Sequence, residues 1–190
     1  MKKMLFASLL LALVATKADS GFAADPVEAG LQSCGSCHGV GAPPHDPTIP
    51  IIDGQQVGYL QKQLQEFRSG ERESQVMSSM AESIRSSDLA RAAALIASRP
   101  WPKRANGAAA SEPDAIAACR SCHGVDLGGG QSPEGVAPRL AGQSPEYLAD
   151  QMGAFARGER GNGQTMMSIM QSLDAEERAR LATYMGGLSN

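Results

Sequence analysis

A five-residue pattern, Cys-x-x-Cys-His, occurs twice in this chain. It reads Cys34-Gly35-Ser36-Cys37-His38, and 85 positions later Cys119-Arg120-Ser121-Cys122-His123. No other feature constrains the fold as strongly. Both copies continue with Gly-Val, and the likeness runs on downstream. Pro50-Ile51-Ile52-Asp53-Gly54-Gln55 matches Pro138-Arg139-Leu140-Ala141-Gly142-Gln143, now 88 positions apart. At that same spacing Tyr59, Leu60, Gln63, Leu64, Phe67 and Gly70-Glu71-Arg72 match Tyr147, Leu148, Gln151, Met152, Phe155 and Gly158-Glu159-Arg160. The change of offset is a three-residue insertion in the loop after the second motif. The chain is a duplicated unit, too long and repeated too few times for a solenoid.

The first residues stand apart. Met1-Lys2-Lys3 is basic, Met4 to Ala15 is apolar, and small residues follow down to Ala23-Ala24. That order is a secretory signal peptide, and residues 1–24 are read as one, cleaved near Ala23 or Ala24. The apolar run falls short of the ~20 residues that span a bilayer, so a retained anchor is the weaker reading. The mature chain is expected to be soluble and periplasmic. Without Lys2, Lys3, Lys17 and Asp19 it carries 14 basic and 19 acidic residues, a net of −5. Phosphate binding needs clustered Lys and Arg, so no nucleic-acid partner is expected.

Arg99-Pro100-Trp101-Pro102-Lys103-Arg104-Ala105-Asn106-Gly107 divides the copies. Two prolines and a glycine end a helix and extend the chain. The organisation is therefore a first domain over 25–99, a linker over 100–107 with Trp101 as its packed anchor, and a second domain over 108–190. Each half is read as three main helices. Asp25-Pro26-Val27-Glu28 and Ser111-Glu112-Pro113-Asp114 offer helix starts before the cysteines. Tyr59, Leu60, Gln63, Leu64 and Phe67 follow helical spacing from about Gln56 to Ser69. The partner of that helix starts at Ser144-Pro145-Glu146 and ends before Gly158. The last helices begin near Asp88 and at Asp174, where Glu177 completes a capping box, and the second ends before Gly186-Gly187. No stretch alternates with period two, and Gly128-Gly129-Gly130 reads as irregular, so the fold is expected to be all-α.

Cys-x-x-Cys-His is the attachment sequence of haem c. Two thiols one helical turn apart add to the two vinyl groups of a porphyrin, and the next histidine ligates the iron. A covalent cofactor also supplies the buried apolar surface that two small domains with 4% aromatic residues lack, since domains of this size usually need a staple. A thioredoxin-like dithiol needs a βαβ setting, and zinc does not need histidine after the second cysteine in both copies. Two haem c groups are expected, held by Cys34, Cys37, Cys119 and Cys122, with His38 and His123 on iron. Methionine commonly closes the other side of a carrier's haem iron. The candidates are Met77 and Met80 in the first half, and Met166, Met167 and Met170 in the second.

These motifs in this order resemble the dihaem cytochrome c4 family across essentially the whole mature chain: CxxCH, PxxxGQ, YLxxQL/M, FxxGxR, then a methionine seven residues before an apolar residue. The resemblance implies two tandem class I cytochrome c-like domains, each wrapping one haem. Counting back seven from Ile84 and Leu173, it implies Met77 and Met166 as axial ligands, with Met167 one residue away as the alternative. Met80 and Met170 are read as packing residues. The resemblance also implies that the carbonyls of Pro50 and Pro138 accept a bond from the axial histidines. The first copy departs mildly from the family's PxLxGQ, with Ile52 for leucine. Arg72 and Arg160 either neutralise haem carboxylates or cap helix ends. His45, in Pro43-Pro44-His45-Asp46-Pro47, reads as an exposed loop residue rather than a ligand.

The function implied is electron transfer without catalysis. The partners implied are redox proteins: a bc complex or a dehydrogenase as donor and a terminal oxidase as acceptor, with peripheral contact to membrane complexes. Two other readings compete. One is the electron-accepting subunit of a dehydrogenase, and the other is a dihaem enzyme acting on peroxide or sulfur compounds at one open haem.

Overall fold

The computed structural model describes residues 26–104 and 110–188. The expected signal peptide and positions 105–107 of the expected linker lie outside the described residues. The first half contains α1 (Pro26–Gly30), α2 (Gln32–His38), α3 (Val57–Ser69), α4 (Gln75–Ser83) and α5 (Leu89–Ala97). The second contains α6 (Ile116–His123), a hairpin of β1 (Gly130–Ser132) and β2 (Gly135–Ala137), then α7 (Pro145–Arg157), α8 (Gln164–Ser172) and α9 (Ala175–Gly187).

The long helices form where the apolar spacing placed them. α3 turns Leu60, Gln63, Glu66 and Phe67 inward, and α7 turns Leu148, Met152 and Phe155 inward. Each ends on a glycine with left-handed backbone, Gly70 at φ 80° and Gly158 at φ 73°, a conformation glycine adopts without the penalty a side chain incurs. α7 starts with the Ser144 side chain accepting from the Tyr147 amide, and α9 with the full Asp174–Glu177 capping box. α3 packs on α5 and α4, and α7 on α9 and α8. The first core is small: Leu31, Leu60, Ala92, Ala93 and Ile96. The second is larger, with Ile116, Leu148, Phe155, Met170, Leu181 and Met185 among its members.

The structure departs from the sequence reading in five places. The first helix is two, because Leu31 turns into the core between α1 and α2, only 2% exposed. α6 starts at Ile116, beyond the Ser111–Asp114 signal, and Ala115 provides no side-chain cap. Glu112 instead grips Arg120 at 2.6 and 2.8 Å and accepts from the Tyr184 hydroxyl at 2.6 Å. α9 continues through Gly186-Gly187; Gly186 answers to packing, since a side chain there would collide with Pro145. α4 and α8 are helices that the spacing did not announce. Finally, Gly130 opens a strand. The loop lengthened by the insertion folds as a three-rung antiparallel hairpin, Gly130 opposite Ala137.

That hairpin loop docks on the first half. Gln56 donates its Nε2–H to the Gly128 carbonyl at 2.8 Å. Val136 lies so near Gly58 that a Cβ there would sit 2.8 Å from a Val136 methyl. The Trp101 ring lies 4.4 Å from the Arg139 guanidinium of the second half.

Candidate functional site

α2 and α6 each end on the histidine of a motif. Gly39 at φ 77° and Gly124 at φ 86° then turn the chain. The His38 ring donates its Nδ1–H to the Pro50 carbonyl at 2.8 Å, and the His123 ring donates its own to the Pro138 carbonyl at 2.8 Å. A carbonyl can only accept, so Nδ1 holds a proton, and the neutral ring then keeps its lone pair on Nε2. Burial pushes both imidazoles below their usual range, against the opposing pull of the proline carbonyls. Each histidine is thus a neutral ring with a free Nε2, the form that ligates a metal.

None of the four cysteines is joined in a disulfide. Cys34 packs against the first core and Cys119 against the second. Burial pushes both thiols up, the opposite of what a reactive thiolate requires. The dithiol-exchange reading has no support from this environment.

The methionines fall into equivalent positions. α4 and α8 are both nine-residue helices, and Met77 and Met166 are each the third residue. In that register Met167 matches Ser78, Met170 matches Ala81, and Met80 matches Ile169. A cleft in the second half is lined by Cys119, Cys122, His123 and Met166, and by Met170, but not by Met167. Its empty volume, with the open solvent at its mouth included, is about 1210 Å³. The two methionine helices are held differently. Ser74 caps α4 on the Met77 amide at 3.3 Å. Glu134, at the hairpin tip, accepts from the Thr165 amide of α8 at 2.7 Å. His45 is exposed, as the loop reading expected.

Between the halves lies a reciprocal cluster. Arg72 donates to Gln63 of its own half at 2.6 Å, and to Tyr147 and Gln151 of the other at 3.1 and 2.7 Å. Arg160 donates to Gln151 of its own half at 2.8 Å, and to Tyr59 and Gln63 of the other at 3.1 and 2.9 Å. The guanidinium groups also stack on Phe67 and Phe155 at 4.5 and 4.4 Å. The backbone amides of both arginines cap their helix ends, Arg72 on the Glu66 carbonyl at 3.1 Å and Arg160 on the Ala154 carbonyl at 3.2 Å, while the guanidinium groups turn into the cluster. Burial raises the Tyr59 phenol, but Arg160 and Arg72 outweigh it and bring it down to about 8. One end of the cluster is asymmetric: Glu66 accepts from Asn162 at 2.6 Å and pairs with Lys62 at 3.0 Å.

A haem carries apolar faces and two carboxylates, and the second-half cleft fits both. Its lining includes Leu148, Phe155 and Ile169 together with Arg139 and Arg160. Arg139 leaves a buried Nη2 without a hydrogen-bond partner. Arg160 is 8% exposed, and among the described residues no carboxylate meets its guanidinium. Buried cations of this kind call for an anion. The cluster and Glu134 were not singled out as a site in the sequence; the matching Tyr, Gln and Arg positions of the two copies were its only signal.

The comparisons with known proteins follow the same line. The family model described as Cytochrome c matches residues 105–189. Cytochrome c4 of Azotobacter vinelandii is 31% identical over 181 residues, covering 82% of this chain and 84% of that protein. The thiosulfate dehydrogenase electron acceptor of Stutzerimonas stutzeri is 28% identical over 96% of this chain and 92% of its own. The crystal structure of reduced cytochrome c4 from Pseudomonas stutzeri superposes with a TM-score of 0.68 at 27% identity, covering 87% of this chain and all of that one.

Proposed function

The chain belongs to the cytochrome c4 family of dihaem electron-transfer proteins, and on that premise we propose a periplasmic carrier with His/Met-ligated haem c in each half. Bound haem supplies each half with a one-electron couple at iron. Cys34 and Cys37 hold it in the first half, and Cys119 and Cys122 in the second, as thioethers that prevent its loss. His38 and His123 would ligate through Nε2, each ring fixed by its proline carbonyl, a bond that also raises ligand basicity. Met77 and Met166 would complete the two ligand sets and keep small molecules out. Arg139 and Arg160, which line the second-half cleft, would neutralise haem carboxylates there, and Arg72 is the matching residue of the first half. The observation that carries this reading is the doubled set: a proline-bonded neutral histidine, with a methionine at the third position of a matching helix, in each half.

The partners proposed are a bc complex or a dehydrogenase as donor and a terminal oxidase as acceptor. The relative named as an electron acceptor of thiosulfate dehydrogenase favours the dehydrogenase as donor. Among the described residues no helix is long and apolar enough to cross a membrane. The periplasmic placement rests on the signal-like residues 1–24.

Replacing the ligands tests the reading. Met77→Ala is expected to open the first haem of the reduced protein to carbon monoxide and lower its potential, leaving the second intact. Met166→Ala should do the same in the second half, and Met167→Ala in neither. A second haem opened by Met167→Ala and not by Met166→Ala would reverse the assignment.

A further inference from the structure

The peptide that joins Pro50 to Ile51 has two polar ends. Its carbonyl accepts from His38 Nδ1 at 2.8 Å. Its N–H, on Ile51, donates to Gln143 Oε1 at 2.9 Å, across the domain boundary. Gln143 completes the grip by donating its Nε2–H to the Ile51 carbonyl at 2.9 Å. The arrangement repeats in the other direction. The peptide joining Pro138 to Arg139 accepts from His123 at 2.8 Å and donates through the Arg139 N–H to Gln55 Oε1 at 2.7 Å. Gln55 in turn donates to the Arg139 carbonyl at 3.1 Å.

Both glutamines are buried, Gln55 at 5% and Gln143 at 3% exposure. Each also accepts from the next residue of its own chain, the Gln56 amide at 2.8 Å and the Ser144 amide at 2.9 Å, where α3 and α7 begin. The glycines before them are fastened to the last helix of their own half, Gly54 to the Ile96 carbonyl at 3.2 Å and Gly142 to the Met185 carbonyl at 2.9 Å. Neither amide is free to turn away.

We infer that Gln55 and Gln143 are positioning residues that act crosswise, each setting the histidine of the opposite half. A peptide group is planar, so holding its N–H fixes where its carbonyl points. Hydrogen bonds in such a chain polarise one another: an acceptor on the N–H makes the carbonyl a stronger acceptor for the histidine proton. The histidine then becomes a stronger donor toward iron, which favours the ferric state. The inference rests on the reading of His38 and His123 as iron ligands. It makes the electronic state of each half depend on the docking of the other.

The test uses the complete two-haem protein. Gln143→Met keeps the volume and removes the grip on Ile51. The first-half haem should rise in potential, the second should not, and exchange of the His38 Nδ1 proton with solvent should speed up severalfold. Gln55→Met should give the mirror result, with the second-half haem rising alone. Gln143→Glu, which keeps an acceptor for the Ile51 N–H, should return the first-half haem most of the way. A shift confined to the haem of the mutated half, equal shifts in both, or lost stability with neither potential moved would each overturn the inference. His38→Ala separates the underlying reading: if the first haem keeps its histidine-ligated spectrum in that variant, the ligand assignment fails instead.

Discussion

Arg160→Met sets two large terms against each other. The guanidinium is 8% exposed and donates to Tyr59, Gln63, Gln151 and Asn162 at 2.8 to 3.1 Å. All four acceptors are neutral. If these were its only partners, methionine in its place would remove a buried cation without an anion but leave those neutral acceptors unsatisfied, two effects of a few kcal/mol each that largely offset one another. If a haem carboxylate faces it, the same change leaves that anion buried and unpaired, which costs ~3–5 kcal/mol. Loss of the stacking contact on Phe155 adds a smaller amount, ~0.5–2 kcal/mol. At ~2–4 °C per kcal/mol for a chain of this size, the account expects the melting temperature of the haem-loaded protein to fall by roughly 10 °C. It also expects the second-half potential to fall, since removing a cation near the iron favours the ferric state. Thermal unfolding followed by circular dichroism, with a redox titration of the same sample, reads both. A variant as stable as the parent with unchanged potentials would refute the anion-partner argument.

Gly54→Ala should destabilise the first half by about 1–2 kcal/mol or more, because Gly54 has φ 70° and a Cβ would sit 2.8 Å from the Trp101 amide nitrogen. Urea unfolding measures it, and an unchanged midpoint would contradict the strain. Glu134→Ala removes the acceptor at the start of α8 and should cost ~1 kcal/mol; because α8 carries Met166, second-half affinity for carbon monoxide should rise while the first half stays closed. Glu112 offers a pH test. The bonds from Arg120 and Tyr184 hold its carboxyl down to about 2, from an ordinary 4.5. Its folded value is the depressed one, so its contribution is complete above the ordinary value and is lost as pH falls through about 2. Glu112→Gln should flatten the acid limb of stability between about pH 5 and about pH 2, and an unaltered limb would mean the pairing contributes nothing.

Local chemistry was legible in the sequence wherever one segment decides it. The Asp174–Glu177 capping box, the Ser144-Pro145 helix start and the glycine stops after α3 and α7 stand where the pattern put them. The proline carbonyls implied by the family resemblance do meet the histidines. α4 and α8 escaped because helices of nine residues are too short to hold on their own; packing on α3 and α7 makes them helical. The hairpin escaped because three glycines in a row read as irregular, whereas Gly130 is there so that the backbone can pass close to Cys122. The Ser111–Asp114 start misled because Glu112 serves Arg120, a contact between side chains eight residues apart. The crosswise glutamines join residues 84 and 92 positions apart. Periodicity is blind at that range, and only the recurrence of Gly-Gln in both copies hinted at them.

The central claim is that each half closes its iron with a histidine and a methionine of its own. Carbon monoxide titration of the fully reduced, two-haem protein, followed by visible spectroscopy, tests it most directly. The account predicts that neither haem band shifts, because Met77 and Met166 would complete the ligand sets begun by His38 and His123. A shift in either haem at low carbon monoxide would contradict it and place an open iron in that half.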